Sequence, residues 1–81
     1  MGKPEKRFKA GACIATVFVN EHPIDNEKVS LQNISLQRVY KDRDGQFKYT
    51  TSFKPSDIPK AILVLCKAYE YVAMDQRHST S

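Results

Sequence analysis

The centre of the chain reads RVYK (38–41), DRDG (42–45) and QFKYT (46–50), two β-prone segments on either side of a tight turn. Asp suits the first position of a type I turn, and Gly at the fourth position supplies the left-handed residue of a bulged, three-residue hairpin loop at 43–45. This stretch therefore predicts a β-hairpin, and the elements before and after it are assigned by working outward from this turn.

Two strand registers are compatible with this turn. The three-residue loop places Tyr40 opposite Lys48, whereas a four-residue loop would place Tyr40 opposite Phe47. We favour the shorter loop because Asp-x-Asp-Gly suits its turn. In that register one face of the hairpin carries Arg38, Tyr40, Lys48 and Thr50. The other face, expected to be core, carries Val39, Phe47, Tyr49 and Phe53.

The alternating apolar residues before the hairpin predict further strands. Residues 8–19 read as one strand, which ends at the polar stretch 20–26, read as a loop. A second strand spans 28–41; its apolar residues change from odd to even positions, so we expect a bulge near residues 32–33. The third strand runs over 46–53.

The last third of the chain predicts a single helix. Ser56 or Asp57 is the candidate N-cap, and Pro59 fits the first turn. A seam with coiled-coil-like spacing follows, made of Ile58, Ile62, Leu65, Tyr69 and Val72. The apolar stripe is widened by Ala61, Val64 and Ala68. One face can therefore pack on the sheet while the seam meets another helix.

These elements predict an α+β fold: a twisted antiparallel β-sheet of three to four strands followed by one C-terminal α-helix. At 81 residues the chain is a single domain of a size at which association often supplies missing stability, so we expect a homodimer joined through the seam. Residues 1–7 are expected to be a basic flexible segment, 8–74 the domain and 75–81 a disordered tail. The two cysteines, Cys13 and Cys66, lie among apolar neighbours and are expected to be buried, reduced thiols.

The net charge of +4 is distributed unevenly along the chain. Residues 1–54 contain ten basic and six acidic residues, while residues 55–81 contain three of each. The whole excess therefore lies in the first two thirds of the chain, which a polyanionic partner would explain, as would a merely solvated surface.

Composition argues against several functional classes. No Gly-rich phosphate loop is present, and the Cys and His residues have no metal-ligand spacing, so we expect no metal, no cofactor, no small-molecule substrate and no enzyme activity. The longest apolar run has six residues, too few for a membrane span. We expect an intracellular protein, in the cytoplasm or nucleoid, or in the nucleus of a eukaryote.

Aromatic and basic residues are interleaved in the predicted strands, the pairing that holds single-stranded nucleic acid by base stacking and phosphate contacts. The candidate nucleic-acid-binding residues are Lys9, Phe18, Arg38, Tyr40, Lys41, Arg43, Lys48 and Thr50. The alternative is a protein-interaction module that uses a strand edge or the helix face and has no nucleic-acid role, but it leaves the uneven charge unexplained.

Three segments, 38–48, 52–56 with the helix after it, and 8–11, resemble the transcriptional positive cofactor four family of single-stranded-DNA-binding domains. Tyr40 stands where the family has an aromatic residue at the end of a strand, and Lys48 matches the Lys after the turn. The resemblance implies a twisted sheet, dimerisation through the helices and a concave strand surface that holds unpaired DNA.

The chain departs from the family pattern at one place. The family's basic pair before the helix is replaced by the uncharged residues Thr50 to Ser52, and the loop is shorter. Arg38, Lys41 and Arg43 on the opposite strand would compensate for the missing charge. We therefore expect a homodimer that binds single-stranded DNA or RNA with little sequence selectivity, in transcription, replication or repair.

Overall fold

Four antiparallel strands are followed by one C-terminal helix in the computed structural model, which describes residues 2–25 and 27–74. The elements are β1 (Lys3–Ala10), β2 (Cys13–Ile24), β3 (Glu27–Lys41), β4 (Phe47–Thr50), a 3₁₀ turn (Pro55–Asp57) and α1 (Ile58–Ala73). The strands are adjacent in sequence order, β1-β2-β3-β4. The predicted α+β class, a sheet followed by one helix, is confirmed.

The predicted first strand is two strands. The chain reverses at Gly11, whose φ of +57° lies in the left-handed region that favours glycine, and β1 then pairs with β2 so that Phe8 lies opposite Ala15. β1 begins at Lys3, so the expectation of a flexible segment over residues 1–7 is wrong for residues 3–7. Lys6 and Arg7 therefore belong to the sheet.

The loop expected at residues 20–26 is also wrong, because β2 continues to Ile24 and turns directly into β3. Asp25 occupies the turn with a φ of +50°, and Ile24 pairs with Glu27. Pro23 is tolerated in β2 because, among the described residues, the pairing with β1 extends only to Val19, so the N–H that proline lacks would have had no partner on that side.

β3 runs without the bulge expected near residues 32–33. Its pairing with β2 is unbroken from Arg38, opposite Cys13, to Glu27, opposite Ile24. The apolar residues change from odd to even positions because Leu31 and Leu36 lie on opposite faces of one regular strand. Leu31 is exposed. The register shift of the sheet lies in β1 instead, between Pro4 and Lys6.

The hairpin register predicted for the three-residue loop is confirmed. Tyr40 lies opposite Lys48, and Arg38 lies opposite Thr50. Asp42 closes the turn: its N–H donates to the Gln46 carbonyl at 2.9 Å, and its carboxylate accepts the N–H groups of residues 44 and 46, both at 2.9 Å. β4 ends at Thr50, three residues earlier than expected.

Small residues bring α1 close to the sheet. The buried core is formed by Cys13, Ala15, Val17, Ala61, Val64 and Ala68. Phe8, Leu36, Phe53, Tyr71 and Val72 pack around it, which confirms Phe53 as a core residue. The Tyr71 hydroxyl donates to the Glu5 carboxylate at 2.6 Å and its ring meets Phe8 edge to face. The helix therefore packs on both β1 and β2.

The expectation that Phe47 and Tyr49 are core residues is wrong, since they are 70% and 59% exposed. Both point to the face of the sheet that α1 does not cover, because they pair with Lys41 and Val39, odd positions of β3 that lie on that face. The core on the helix side of the sheet contains neither of them.

The seam of α1 points away from the sheet. Ile58, Ile62, Leu65 and Tyr69 are exposed, Ile62 at 56% and Tyr69 at 67%, whereas Val72 packs against the core. Cys66 is exposed rather than buried, because nothing in the described part of the chain covers this side of the helix. Cys13 is buried as expected, and burial, together with Asp57, raises the pKa of its thiol. The predicted tail, residues 75–81, lies outside the described residues.

Candidate nucleic-acid interface

The sheet has one face packed against α1, here called the helix face, and an opposite face, here called the open face. Ala15 and Val17 contact the helix, so the alternate residues of β2 point to the open face. The strand pairings extend this assignment across the sheet. The central part of the open face, between β1 and β4, carries Arg7, Lys9, Ile14, Thr16, Phe18, Ser35, Gln37, Val39, Lys41, Phe47 and Tyr49, and the same face continues along β3 through Asn33 and Leu31 to Glu27.

Aromatic rings stand at one side of the open face. Phe47 and Tyr49 are adjacent residues of this face on β4, and Val39 lies opposite Tyr49 on β3. The Lys41 ammonium lies 5.8 Å from the centre of the Phe47 ring, a cation–π distance. Phe18, on β2, is half-buried. The sheet thus presents two accessible rings with a cation beside them.

Cations also stand at the β1 side of the open face. Arg7 and Lys9 are exposed on alternate positions of β1, opposite Thr16 and Ile14. The central part of this face includes no carboxylate, and Glu27 lies on the same face at the far end of β3. The ion pairs Arg38–Asp57, Lys48–Asp42 and Lys67–Glu70 involve none of the cations of this face. Arg7, Lys9 and Lys41 therefore have no carboxylate beside them in the central part of the face.

The helix face holds the other part of the predicted site. Arg38, Tyr40, Lys48 and Thr50 lie on one face, as the register predicted. The Arg38 Nε donates to the Ser52 carbonyl at 3.0 Å and lies 3.5 Å from the Asp57 carboxylate, while its guanidinium lies 5.8 Å from the centre of the Tyr40 ring. Lys48 lies 3.5 Å from the Asp42 carboxylate. These cations already have carboxylate partners.

Arg38 also positions the start of the helix. Asp57, its partner, is the N-cap residue of α1, and the Asp57 carboxylate accepts the backbone N–H of Lys54 at 3.1 Å. The Cys13 thiol donates to the Asp57 carbonyl at 3.5 Å. The contacts of Arg38 therefore tie β3 to the connection that leads into the helix.

The eight candidate residues are thus divided among three places. Lys9, Phe18 and Lys41 lie on the open face; Arg38, Tyr40, Lys48 and Thr50 lie on the helix face; Arg43 lies in the exposed β3–β4 turn. Sequence reasoning did not select Arg7, Phe47 and Tyr49 for the site. The alternation of the strands contained the signal for them, but its use requires knowing which face the helix covers.

The described residues contain no group of three or more His, Cys, Asp or Glu side chains placed to hold a metal ion. None of the helices they form is both long and apolar enough to span a bilayer.

Comparisons with protein-family models, with curated proteins and with solved structures give no match for this chain. The resemblance to the positive cofactor four family therefore depends on the quoted sequence segments alone.

Proposed function

We propose that this protein binds single-stranded nucleic acid, DNA or RNA, on the open face of its sheet. The observation that carries the proposal is the combination of two accessible rings, Phe47 and Tyr49, with exposed cations on the sheet face that α1 leaves uncovered. Rings of this kind stack on bases of any sequence, and cations hold the phosphates between them.

The same surface favours single strands over duplexes. In a duplex the flat faces of the bases are stacked on one another, so Phe47 and Tyr49 have no base face to contact. Unpaired bases expose those faces. Arg7 and Lys9 on β1 then contact the phosphate backbone, and the uncharged side chains between them and the rings allow the strand to cross the sheet.

We further propose that the protein is a homodimer joined by the seam of α1. Ile58, Ile62, Leu65 and Tyr69 are spaced by one helical turn and are exposed in the protomer. Pairing two such helices would remove the apolar side chains of both copies from water and would place two binding faces, with a combined charge of +8, in one assembly.

Titration of the protein with single-stranded and duplex oligonucleotides at several salt concentrations tests the binding proposal. We expect tighter binding of the single strand, with an affinity that falls as salt rises. Lys9→Gln should reduce the salt slope by about one, because one phosphate contact is lost. The matched control is Lys67→Gln on α1, remote from the open face, which should leave the slope unchanged.

Equal affinity at all salt concentrations, or no binding of either oligonucleotide, would contradict the proposal. Absence of binding would favour the alternative of a protein-interaction module. Unchanged salt slopes in both lysine variants would contradict the placement of the site on the open face.

The seam is tested by Ile62→Glu. We expect the dissociation constant of the dimer to rise at least about tenfold, because each copy places a charge where an isoleucine would be buried. Molar mass measured by light scattering over a concentration series gives the result. Leu63→Glu, at an equally exposed position off the seam, is the control. Equal masses for the two variants and the unaltered protein would show that the seam does not join the copies.

A further inference from the structure

Phe47 and Tyr49 occupy alternate positions of one short strand. β4 consists of Phe47–Thr50, and the two rings on its open face are 70% and 59% exposed. Alternate residues of a strand point to the same face and are about 6.8 Å apart along the strand. The two rings therefore form a row along β4, here called the ring row, with a spacing that the backbone of the strand sets.

The hairpin holds the ring row in place. Phe47 pairs with Lys41 and Tyr49 pairs with Val39 in an unbroken register. The turn that precedes β4 is closed by hydrogen bonds of Asp42, whose carboxylate accepts two backbone N–H groups at 2.9 Å. Because a tight turn fixes the register of the strands that it joins, the two rings have little freedom to move closer together along β4.

The spacing of the ring row differs from the spacing of stacked bases. Neighbouring bases that are stacked within one strand are about 3.4 Å apart, half the distance between the two positions on β4. Two neighbouring bases can therefore each stack on one of the rings only after they have separated from each other. The ring row thus favours strands whose bases separate easily.

We propose, on the basis of the proposed function, that the open face selects single strands by how weakly their bases stack on one another, and that it prefers thymine runs to adenine runs. Adenine has two fused rings and stacks strongly on its neighbours in a single strand, whereas thymine has one ring and stacks weakly. Stacking strength and backbone flexibility give modest preferences of this kind without any hydrogen bond to a base edge.

The cation beside the ring row does not distinguish the two kinds of strand. The Lys41 ammonium lies 5.8 Å from the centre of the Phe47 ring, where it can contact the phosphate of a nucleotide stacked on that ring. A phosphate carries the same charge whichever base is attached, so the phosphate contacts contribute equally to the binding of both strands. The preference therefore comes from the two rings.

Fluorescence anisotropy titrations with labelled oligo(dT) and oligo(dA) of equal length, at one fixed salt concentration, test this preference. We expect the unaltered protein to bind oligo(dT) about threefold to tenfold more tightly, with the same salt slope for both strands. In Tyr49→Ala a single ring remains, and it can stack on a base without separating two neighbours. The ratio of the two dissociation constants should then fall toward one. Phe47→Ala should have the same effect on the ratio.

Two control variants keep both rings of the row. Tyr49→Phe removes only the hydroxyl, and Tyr40→Ala removes a ring from the helix face, so both should retain the ratio of the unaltered protein. Circular dichroism verifies that each variant is folded.

Equal binding of the two strands by the unaltered protein, or tighter binding of oligo(dA), would overturn the inference. A ratio that stays the same in both Tyr49→Ala and Phe47→Ala would also overturn it, because the preference would then not come from the ring row. In these cases single strands still bind, so the proposed function stands. Failure of both strands to bind would contradict the proposed function and this preference with it.

Discussion

Replacing Tyr49 by Ala is expected to weaken binding of a single-stranded oligonucleotide by about fivefold to 150-fold, since one stacked base contributes roughly 1–3 kcal/mol. Tyr49 is 59% exposed on the open face, so the substitution removes little packing within the protomer. Phe47→Ala should have an effect of the same order. The double variant should lose more than either single one, because each ring stacks on a separate base.

The matched control for this prediction is Tyr40→Ala. Tyr40 and Tyr49 are on neighbouring strands, but Tyr40 lies on the helix face beside Arg38. Fluorescence anisotropy with a labelled oligonucleotide, at one fixed salt concentration, compares the variants. If Tyr40→Ala weakens binding and Tyr49→Ala does not, the bound strand lies on the helix face and the open-face assignment is wrong.

Val64→Asp is expected to unfold the domain or to lower its free energy of unfolding by at least about 3 kcal/mol. Val64 is only 2% exposed, between α1 and the sheet, within a core of small side chains. A buried, unpaired carboxylate is costly enough to exceed much of the stability of a domain of this size.

Leu63→Asp, one position earlier in α1, is the control for this prediction. Leu63 is exposed, so its replacement should change the free energy of unfolding by less than about 1 kcal/mol. Thermal unfolding followed by circular dichroism gives both values. Similar losses in the two variants would mean that the helix does not pack on the sheet through the Val64 side.

The β3–β4 hairpin was predictable because its signals are local. Asp42 and Gly45 specify the turn by their own conformational preferences and hydrogen bonds. The geometry of the turn then fixes the register of the two strands that it joins. The C-terminal helix was predictable for a similar reason, since the acidic N-cap residue Asp57 lies directly before its apolar repeat and Pro59 lies in its first turn.

Strand boundaries were less predictable where a residue has two structural uses. Gly11 was read as part of a continuous strand, but in the structure it turns the chain by taking a positive φ. Pro23 was read as the end of a strand, but it lies within β2 because β1 ends before reaching it. In both cases the outcome depends on which neighbouring strand is present, which a local pattern does not contain.

The sequence by itself determined the α+β class, the hairpin register and the division of the hairpin into two sets of alternating side chains, because turn chemistry and strand alternation act over a few residues. Only the tertiary structure decided which set faces the helix. Both sets contain aromatic residues, and the choice depends on where Ala61, Val64 and Ala68 allow the helix to approach the sheet. Helix packing therefore leaves Phe47 and Tyr49 exposed, and with them the candidate binding face.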